Sequence, residues 1–152
     1  MGDRDEITAL VNRYGELIDT GDIDGVVAML TEDASFAMPP APSWHKGHEQ
    51  LTKFFGVGPL SGDWRWRHVY VRASGQPTLA FYCWDQAEGA HLPFALNVLT
   101  IRDRLISDVT AFICRATDSR DLDAYRRWPE EAIVPDRFVD FFERFGLPDR
   151  LD

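Results

Sequence analysis

The chain has 152 residues, of which 45% are hydrophobic and 12% aromatic, and its formal net charge is −9. This length suffices for one domain with a full core and is too short for two domains of ordinary size. The acidic balance, with no run of Lys or Arg longer than two residues, excludes the basic surface that direct binding to nucleic acid requires.

The sequence shows no membrane segment, secretory signal or metal-ligand spacing. No apolar stretch approaches the roughly 20 residues of a membrane-spanning helix, and Met1–Glu6 is too charged for the apolar part of a signal peptide. We therefore expect a cytoplasmic protein. Cys83 and Cys114 lie in apolar, strand-like contexts, so we expect buried thiols and predict neither a metal nor a cofactor.

The N-terminal part of the chain is predicted to form two helices. Apolar residues recur at helical spacing from Glu6 to Leu30. The stretch TGDIDG interrupts this pattern with a turn, in which Asp22 is the expected N-cap of the second helix. The two helices can therefore pack antiparallel to each other.

A strand, a proline-rich loop and a short helix follow. The strand ends near Phe36, and the loop FAMPPAPSWHKG runs from Phe36 to Gly47. Its three prolines fix the backbone, so we expect Trp44 and His45 to be held in one orientation at the edge of a pocket. The short helix begins after the loop, and its apolar residues are Leu51, Phe54 and Phe55.

The centre of the chain is predicted to be a four-stranded antiparallel meander. Four segments rich in β-branched and aromatic residues are separated by turns, over residues 65–73, 77–84, 92–102 and 104–113. Helices followed by such a meander indicate an α+β fold, in which the helices close one face of a curved sheet. We expect a single domain over 1–152. A helical C-terminal extension over 118–145 is expected to cover either the pocket mouth or a partner subunit.

Several stretches resemble known families. VNRYGELIDTGDIDGVVAMLTEDASFAMP resembles the first two helices and first strand of the nuclear-transport-factor-2-like superfamily, especially ketosteroid isomerase and the SnoaL-like cyclases. MPPAPSWHKGHEQL, SGQPTLAFY, PFALNVLTIRDRLISDVTAFI and RFGLPDRL resemble the SnoaL-like domain at the C-terminus of some extracytoplasmic-function sigma factors of actinobacteria. The resemblance implies a cone-shaped α+β fold. The sigma regions that bind promoter and polymerase are missing, so the chain is either a free-standing relative or an excised domain.

The resemblance to ketosteroid isomerase implies roles for two polar residues. Tyr14 takes the place of a tyrosine that stabilises negative charge on a substrate oxygen together with a protonated aspartate. Asn97 takes the place of that aspartate, and its amide N–H₂ donates hydrogen bonds without a shifted pKa. The place of the catalytic base holds Met38, whose thioether accepts no proton at neutral pH. Steroid isomerisation by the family mechanism is therefore not expected.

Histidine is the natural replacement for the base, because its ordinary pKa of about 6.5 suits proton transfer at neutral pH. His68 and His45 are the candidates, and His91 is expected near the pocket mouth. The sequence leaves open which face of its strand His68 occupies. For each histidine the alternative is a structural or surface role.

Strand alternation extends the predicted pocket from Asn97. If Asn97 faces inward, its face is shared by His91, Pro93, Ala95 and Leu99. By resemblance the lining also includes Phe54, Phe81, Cys83, Val109, Ala111 and Ile113, and we add Met38, Trp44 and Trp66. Such a wall suits a flat, largely apolar ligand such as a polyketide, terpenoid or aromatic compound.

Two functions follow as hypotheses, since one fold hosts many activities. The first is a cofactor-independent isomerase or cyclase that acts on an apolar carbonyl- or epoxide-bearing metabolite by acid–base catalysis. The second is a non-catalytic ligand-binding or regulatory interaction domain. In either case we expect a homodimer formed through the exposed face of the sheet, with contacts from four aromatic residues, Trp64, Trp66, Tyr82 and Trp84.

Overall fold

The structure is a computed structural model that describes residues 2–37, 44–62, 64–71, 76–86, 89–113, 146–148 and 150–152, without the side chains of residues 2–4, 44 and 113. Within these described ranges, three helices and six strands follow one another in the order α1 (Gly2–Thr20), α2 (Ile23–Ala28), β1 (Leu30–Ala37), β2 (Trp44–Lys46), α3 (His48–Val57), β3 (Trp66–Val71), β4 (Thr78–Asp85), β5 (Ala90–Arg102) and β6 (Leu105–Ile113). In the part of the chain that is described, no helix is long and apolar enough to cross a membrane.

The strands form one mixed sheet in the order β2-β1-β6-β5-β4-β3. Strands β3 to β6 pair antiparallel with their sequence neighbours, as the predicted meander requires. Strand β1 adds to the meander by pairing parallel to β6, and β2 pairs antiparallel to β1 at the sheet edge. The predicted α+β fold is confirmed. The predicted extension over 118–145 lies outside the described residues.

The helical hairpin is built as the sequence predicts, but its second helix is shorter. The Asp22 carboxylate caps α2 by accepting a hydrogen bond from the Gly25 N–H at 2.9 Å. Helical spacing extends to Leu30, whereas α2 ends at Ala28. The helix ends there because the chain joins the sheet, where the Met29 carbonyl accepts a hydrogen bond from the Ile106 N–H at 2.8 Å.

The predicted proline-rich loop contains an additional strand. Trp44 and His45 belong to β2, where they pair with Ala37 and Phe36 respectively. The expectation that both lie in a loop is therefore wrong. The segment forms a β-hairpin because the backbone groups of β1 are satisfied by β2 on one side and by β6 on the other. The three prolines lie outside the described residues.

The two faces of the sheet carry separate buried clusters. The face covered by the helices, which we call the helix face, holds the main core, with Val11, Leu17, Leu51, Phe55, Leu79, Leu99 and Ile106 among its members. The opposite face, which we call the outer face, holds a smaller cluster of Val71, Ala80, Tyr82 and Leu96. Residues Leu147 and Leu151 pack against this second cluster.

A β-bulge in β5 changes which residues face the helices. The register between β4 and β5 shifts, so that Phe81 opposes Ala95 while its neighbour Tyr82 opposes Pro93. Phe94 is the extra residue between them and belongs to the core on the helix face. A bulge of this kind inverts the alternation of side chains on one side of it. Simple alternation therefore fails for the first residues of β5.

The bulge corrects the predicted position of His91. Counting in twos from Asn97 places His91 and Pro93 on its face, and this expectation is wrong because the count crosses the bulge. His91 opposes Trp84 on the outer face and contacts its ring at 5.2 Å between centroids. Its backbone exchanges two hydrogen bonds with Leu151, and partial burial lowers the pKa of its ring.

The aromatic residues expected at a dimer contact are distributed over both faces. Trp64 and Trp66 stack on each other at 5.9 Å and pack with the core of the helix face, so their predicted exposure is wrong. Tyr82 is fully buried on the outer face, where its hydroxyl donates a hydrogen bond to the Pro148 carbonyl at 2.8 Å. Trp84 is half-buried on that face. The homodimer stays a prediction.

Candidate functional site

A cavity lies between α1, α3 and the helix face of the sheet. The volume within it that the centre of a water-sized sphere can occupy is about 30 Å³, and about 350 Å³ is free of atoms when open solvent is included. Its lining is almost wholly apolar and aromatic, and consists of Tyr14, Ile18, Phe36, Phe55, Pro59, Trp66, Phe81, Phe94, Ala95, Asn97 and Ala111. Concave apolar sites with few polar groups are typical of small-molecule binding.

Tyr14 is brought to the cavity by the helical repeat of α1. It lies one turn before Ile18, and both line the cavity. The Tyr14 side chain is fully buried, and its hydroxyl has no hydrogen-bond partner among the described residues. Burial without a partner disfavours the charged phenolate, so the pKa of Tyr14 lies well above its ordinary value. The hydroxyl is therefore a neutral donor at any physiological pH.

The raised pKa of Tyr14 predicts a pH dependence of stability. As pH rises above about 10, the unfolded chain releases the Tyr14 proton while the folded chain keeps it. The contribution to stability is complete below that pH and is lost as pH rises toward the folded-state pKa, by about 1.4 kcal/mol per pH unit. Urea unfolding of wild type and Tyr14→Phe between about pH 9 and 11 measures this. Equal slopes for the two proteins would contradict it.

Asn97 enters the same cavity from the sheet. It lies on β5, is 6% exposed, and opposes Ala111 of β6, which also lines the cavity. Helix and sheet therefore bring Tyr14 and Asn97 into the wall of one cavity. Their predicted roles in holding a ligand oxygen stay predictions.

His68 lies on the helix face, which answers the question that the sequence leaves open. It opposes Phe81 across β3 and β4, and its Nδ1 lies 2.7 Å from Asp19 Oδ2. The ring packs flat against the backbone of α1, since a Cβ added to Gly15 would lie 2.6 Å from His68 Cδ2. His68 is not among the cavity-lining residues. These contacts of His68 join β3 to α1.

His45 also packs outside the cavity wall. Its ring stacks on Phe54 with 4.4 Å between centroids and an interplanar angle of 26°. Phe54 packs in turn against Phe36, which does line the cavity. The structure therefore places both histidines proposed as bases on the helix face, with one aromatic ring or the helix backbone next to each of them.

Apart from His91 and Pro93, which lie on the outer face, the predicted wall residues fall into three groups. Trp66, Phe81, Ala95 and Ala111 line the cavity. Phe54, Cys83, Leu99 and Val109 are buried in the core of the helix face but are not lining residues. Met38 and the side chains of Trp44 and Ile113 lie outside the described part of the structure.

Five lining residues are absent from the sequence prediction: Ile18, Phe36, Phe55, Pro59 and Phe94. Two of them carry a usable signal, because Ile18 follows Tyr14 at helical spacing and Phe36 precedes Met38 at strand spacing. Phe94 depends on the bulge, and Pro59 depends on the path of a turn. Neither has a signal in the sequence.

The described lining contains Tyr14 as its single titratable side chain, with no histidine, carboxylate or cationic group. A general base must come within about 3 Å of the proton that it removes, directly or through a water. The described wall therefore offers hydrogen-bond donors to a ligand but no base.

Residues 11–109 match the SnoaL-like domain family. The chain belongs to this family, and the matched range spans the elements that build the cavity, from α1 into β6. The resemblance seen in the sequence is confirmed.

Among curated proteins, the chain is similar to the ECF RNA polymerase sigma factor SigG of Mycobacterium tuberculosis. The two are 33% identical over 150 residues, which covers 98% of this chain and 34% of the sigma factor in each of two strains. The chain thus spans about a third of the length of the curated relatives that it matches.

Solved structures share the fold at low identity. A candidate ketosteroid isomerase from Kribbella flavida has a TM-score of 0.62 and 20% identity, over 73% of this chain and 79% of that one. The epoxide hydrolase/cyclase-like enzyme SalBIII has a TM-score of 0.59 and 19% identity, over 74% and 94%. An NTF-2-like protein of unknown function from Burkholderia xenovorans has a TM-score of 0.62 and 13% identity, over 82% and 94%.

Proposed function

We propose that this chain is a small-molecule-binding domain whose cavity holds a neutral, largely apolar ligand with an oxygen placed on Tyr14. The observation that carries the proposal is the hydroxyl of the lining residue Tyr14, which is buried without a hydrogen-bond partner in the described part of the chain. A buried polar group without a partner costs about 1–3 kcal/mol. A ligand oxygen that accepts the Tyr14 proton would remove that cost.

The shape and chemistry of the wall support a flat ligand. Trp66 meets Phe81 and Phe94 edge-on, at 6.2 and 5.2 Å between centroids. Phe36 and Phe55 meet edge-on at 5.7 Å on another part of the wall. Aromatic side chains of this kind offer large rigid apolar surfaces to a planar ligand. Asn97 adds an amide that can both donate to and accept from a second polar group.

The similarity to SigG supports a regulatory setting for this binding. Nearly the whole chain is similar to about a third of a sigma factor, and the described cavity wall contains no base. Both points agree with a domain that senses a small molecule without converting it. We propose this as the role of the cavity.

The second candidate is an isomerase or cyclase that acts on a carbonyl- or epoxide-bearing metabolite. It is favoured by the meeting of Tyr14 and Asn97 at one cavity, because such donors stabilise negative charge that develops on an oxygen. This candidate needs a base in addition to the described wall. The candidate enzymes among the structural neighbours share the fold with this chain.

Ligand binding is tested first, by a fluorescence titration. The neutral naphthyl ketone dye prodan is titrated by fluorescence into wild type, Asn97→Ala and Asn12→Ala, a matched control whose amide donates to Thr8 O at 3.1 Å within α1. We expect saturable binding that weakens by about tenfold in Asn97→Ala and is unchanged in Asn12→Ala. Equal affinities for the two variants, or no binding by wild type, would refute the proposed site.

A panel of carbonyl- and epoxide-bearing polyketides and terpenoids is then incubated with wild type, Tyr14→Phe and Asn97→Ala, and products are followed by mass spectrometry. We expect binding without turnover. Turnover that falls in both variants would instead establish the isomerase or cyclase. Turnover unaffected by either substitution would exclude the assigned roles of both residues.

A further inference from the structure

Two alanines flank Asn97 in the part of the cavity wall that the sheet forms. Ala111 of β6 opposes Asn97 directly, and Ala95 lies two residues before it on β5. Both alanines line the cavity, and the other described lining residues apart from Asn97 are aromatic residues, isoleucine or proline. The free space beside Asn97 therefore exists because these two side chains end at Cβ.

Larger side chains close the other directions along the sheet. Leu79 opposes Asn97 on β4, and Leu99 follows it on the same face of β5. Both leucines are fully buried in the core of the helix face and do not line the cavity. A ligand group that lies beside the Asn97 side chain can therefore extend toward Ala95 or toward Ala111, but not toward the leucines.

The two open directions differ in their surroundings. Ala95 opposes Phe81 of β4 and is preceded by Phe94, and both of these phenylalanines line the cavity. Trp66 meets both of their rings edge-on, so this side suits a planar aromatic group. Ala111 lies across the strand pair instead, where the Cβ atoms of directly opposed residues are about 4.5–5.5 Å apart. A ligand group held beside the asparagine can thus contact the methyl group of Ala111.

The enclosed space limits what can lie on Ala111. The centre of a water-sized sphere can occupy about 30 Å³ of the cavity, and about 10–15 Å³ is enough to hold one water. The enclosed part therefore holds about two groups of that size. One is the ligand oxygen expected at Tyr14, whose fully buried hydroxyl has no partner among the described residues. The other is a short alkyl group, and the larger part of the ligand lies toward the opening.

We propose that Ala111 sets the ligand class of the cavity, which is planar aryl ketones whose carbonyl carries a methyl or ethyl group. The carbonyl oxygen lies at Tyr14 and Asn97, the ring lies against Ala95 among the aromatic residues, and the alkyl group contacts Ala111. A longer alkyl group has no space there. This inference rests on the proposed ligand-binding function and names the ligands that the site selects.

The ligand class is tested with three naphthyl ketones that differ only in the acyl group: acetyl (acdan), propionyl (prodan) and pentanoyl. Each ketone is titrated into the full chain and followed by fluorescence. If apolar burial alone governed affinity, each added methylene would tighten binding by about fourfold. We expect acdan and prodan to bind within about fourfold of each other, and the pentanoyl ketone to bind at least about tenfold more weakly than prodan. Affinity that rises steadily with chain length would overturn the size limit and leave ligand binding intact.

Two substitutions of Ala111 test whether this residue sets the limit. Ala111→Val adds two methyl groups to the space that the alkyl group needs, and should weaken the binding of prodan about tenfold more than that of acdan. Ala111→Gly opens space and should strengthen the binding of the pentanoyl ketone relative to prodan. Ala37→Val is the matched control, because Ala37 lies on β1 in a polar groove outside the cavity.

The selectivity is a ratio of two affinities measured on the same variant, so a partial loss of folded protein cancels. If Ala111→Val does not fold, Ala111→Gly decides the question. Unchanged selectivity in the Ala111 variants, or the same change in Ala37→Val, would overturn the role of Ala111. If none of the three ketones binds to wild type, the ligand-binding function is refuted, and the inference about Ala111 fails with it.

Discussion

Tyr14→Phe is expected to stabilise the ligand-free protein and to weaken ligand binding. The substitution removes a buried hydroxyl that none of the described residues hydrogen-bonds, while it keeps the ring in the core. The free energy of unfolding should rise by about 1–2 kcal/mol, because the desolvation cost of the orphan group disappears. Ligand affinity should fall by about tenfold, because the ligand oxygen loses its donor. Urea unfolding and a prodan titration measure the two effects.

Tyr82→Phe is the matched control for this prediction. Its hydroxyl is satisfied by the Pro148 carbonyl on the outer face, so its removal should lower the free energy of unfolding by about 1 kcal/mol and leave binding unchanged. The two Tyr→Phe substitutions thus have opposite signs. A loss of stability in Tyr14→Phe would show that its hydroxyl is already satisfied in the ligand-free protein.

The opposite signs of the two stability changes follow from a trade-off between stability and function. A binding site must keep polar groups ready for a ligand, and those groups cost free energy while the site is empty. Tyr14 and Asn97 lie in a wall that is otherwise apolar. A phenylalanine at position 14 would pack in such a wall at a lower cost in free energy. The hydroxyl of Tyr14 is therefore the reason to expect a ligand.

Periodicity predicts the architecture because it reports which residues must be buried together. Helical spacing identifies the first two helices, and Asp22 marks the boundary between them through a cap that the structure contains. The turn predicted between the segments 92–102 and 104–113 is also present, with Asp103 and Arg104 at φ of 53° and 65° between β5 and β6. These features are local, so nearby residues determine them.

The errors arise where distant pairing decides the conformation. Strand β2 exists because β1 offers it a free edge, and Leu30 leaves its helix because β6 pairs with it. The bulge at Phe94 reverses the face of His91, and a count along β5 cannot detect it. The resemblance to ketosteroid isomerase, rather than periodicity, predicts that Tyr14 and Asn97 share one cavity, and both line the cavity in the structure. The position of Pro59 depends on a turn, for which periodicity gives no rule.

The packing of His68 explains why a glycine lies in the middle of α1. Its imidazole occupies the space that a side chain at position 15 would need, and the mid-helix residue there is Gly15. Glycine inside a helix costs about 1 kcal/mol relative to alanine. This cost is offset because the glycine leaves room for the ring of His68, whose Nδ1 lies 2.7 Å from Asp19 Oδ2. Asp19 Oδ1 is buried and has no hydrogen-bond partner within the described ranges, so the carboxylate depends on this contact.

Gly15→Ala is therefore expected to destabilise the fold, although helix propensity alone predicts the reverse. The new Cβ would lie 2.6 and 2.7 Å from His68 Cδ2 and Nε2. The ring cannot retreat without breaking its hydrogen bond to Asp19. Overpacking of this kind costs about 1–3 kcal/mol, so we expect a net loss of about 1–2 kcal/mol in the free energy of unfolding, measured by urea unfolding.

A double-mutant cycle with His68→Ala separates the clash from any other effect of the substitution. Once the ring is removed, Gly15→Ala should stabilise the protein by up to about 1 kcal/mol, which gives a coupling energy of about 2–3 kcal/mol between the two positions. Gly56→Ala in α3 is the control, since its new Cβ would meet Ile23 Cδ1 at an ordinary 3.9 Å. Gly15→Ala could instead stabilise wild type as much as it stabilises His68→Ala. In that case the His68 ring does not require a glycine at position 15, and the contact between α1 and β3 does not explain Gly15.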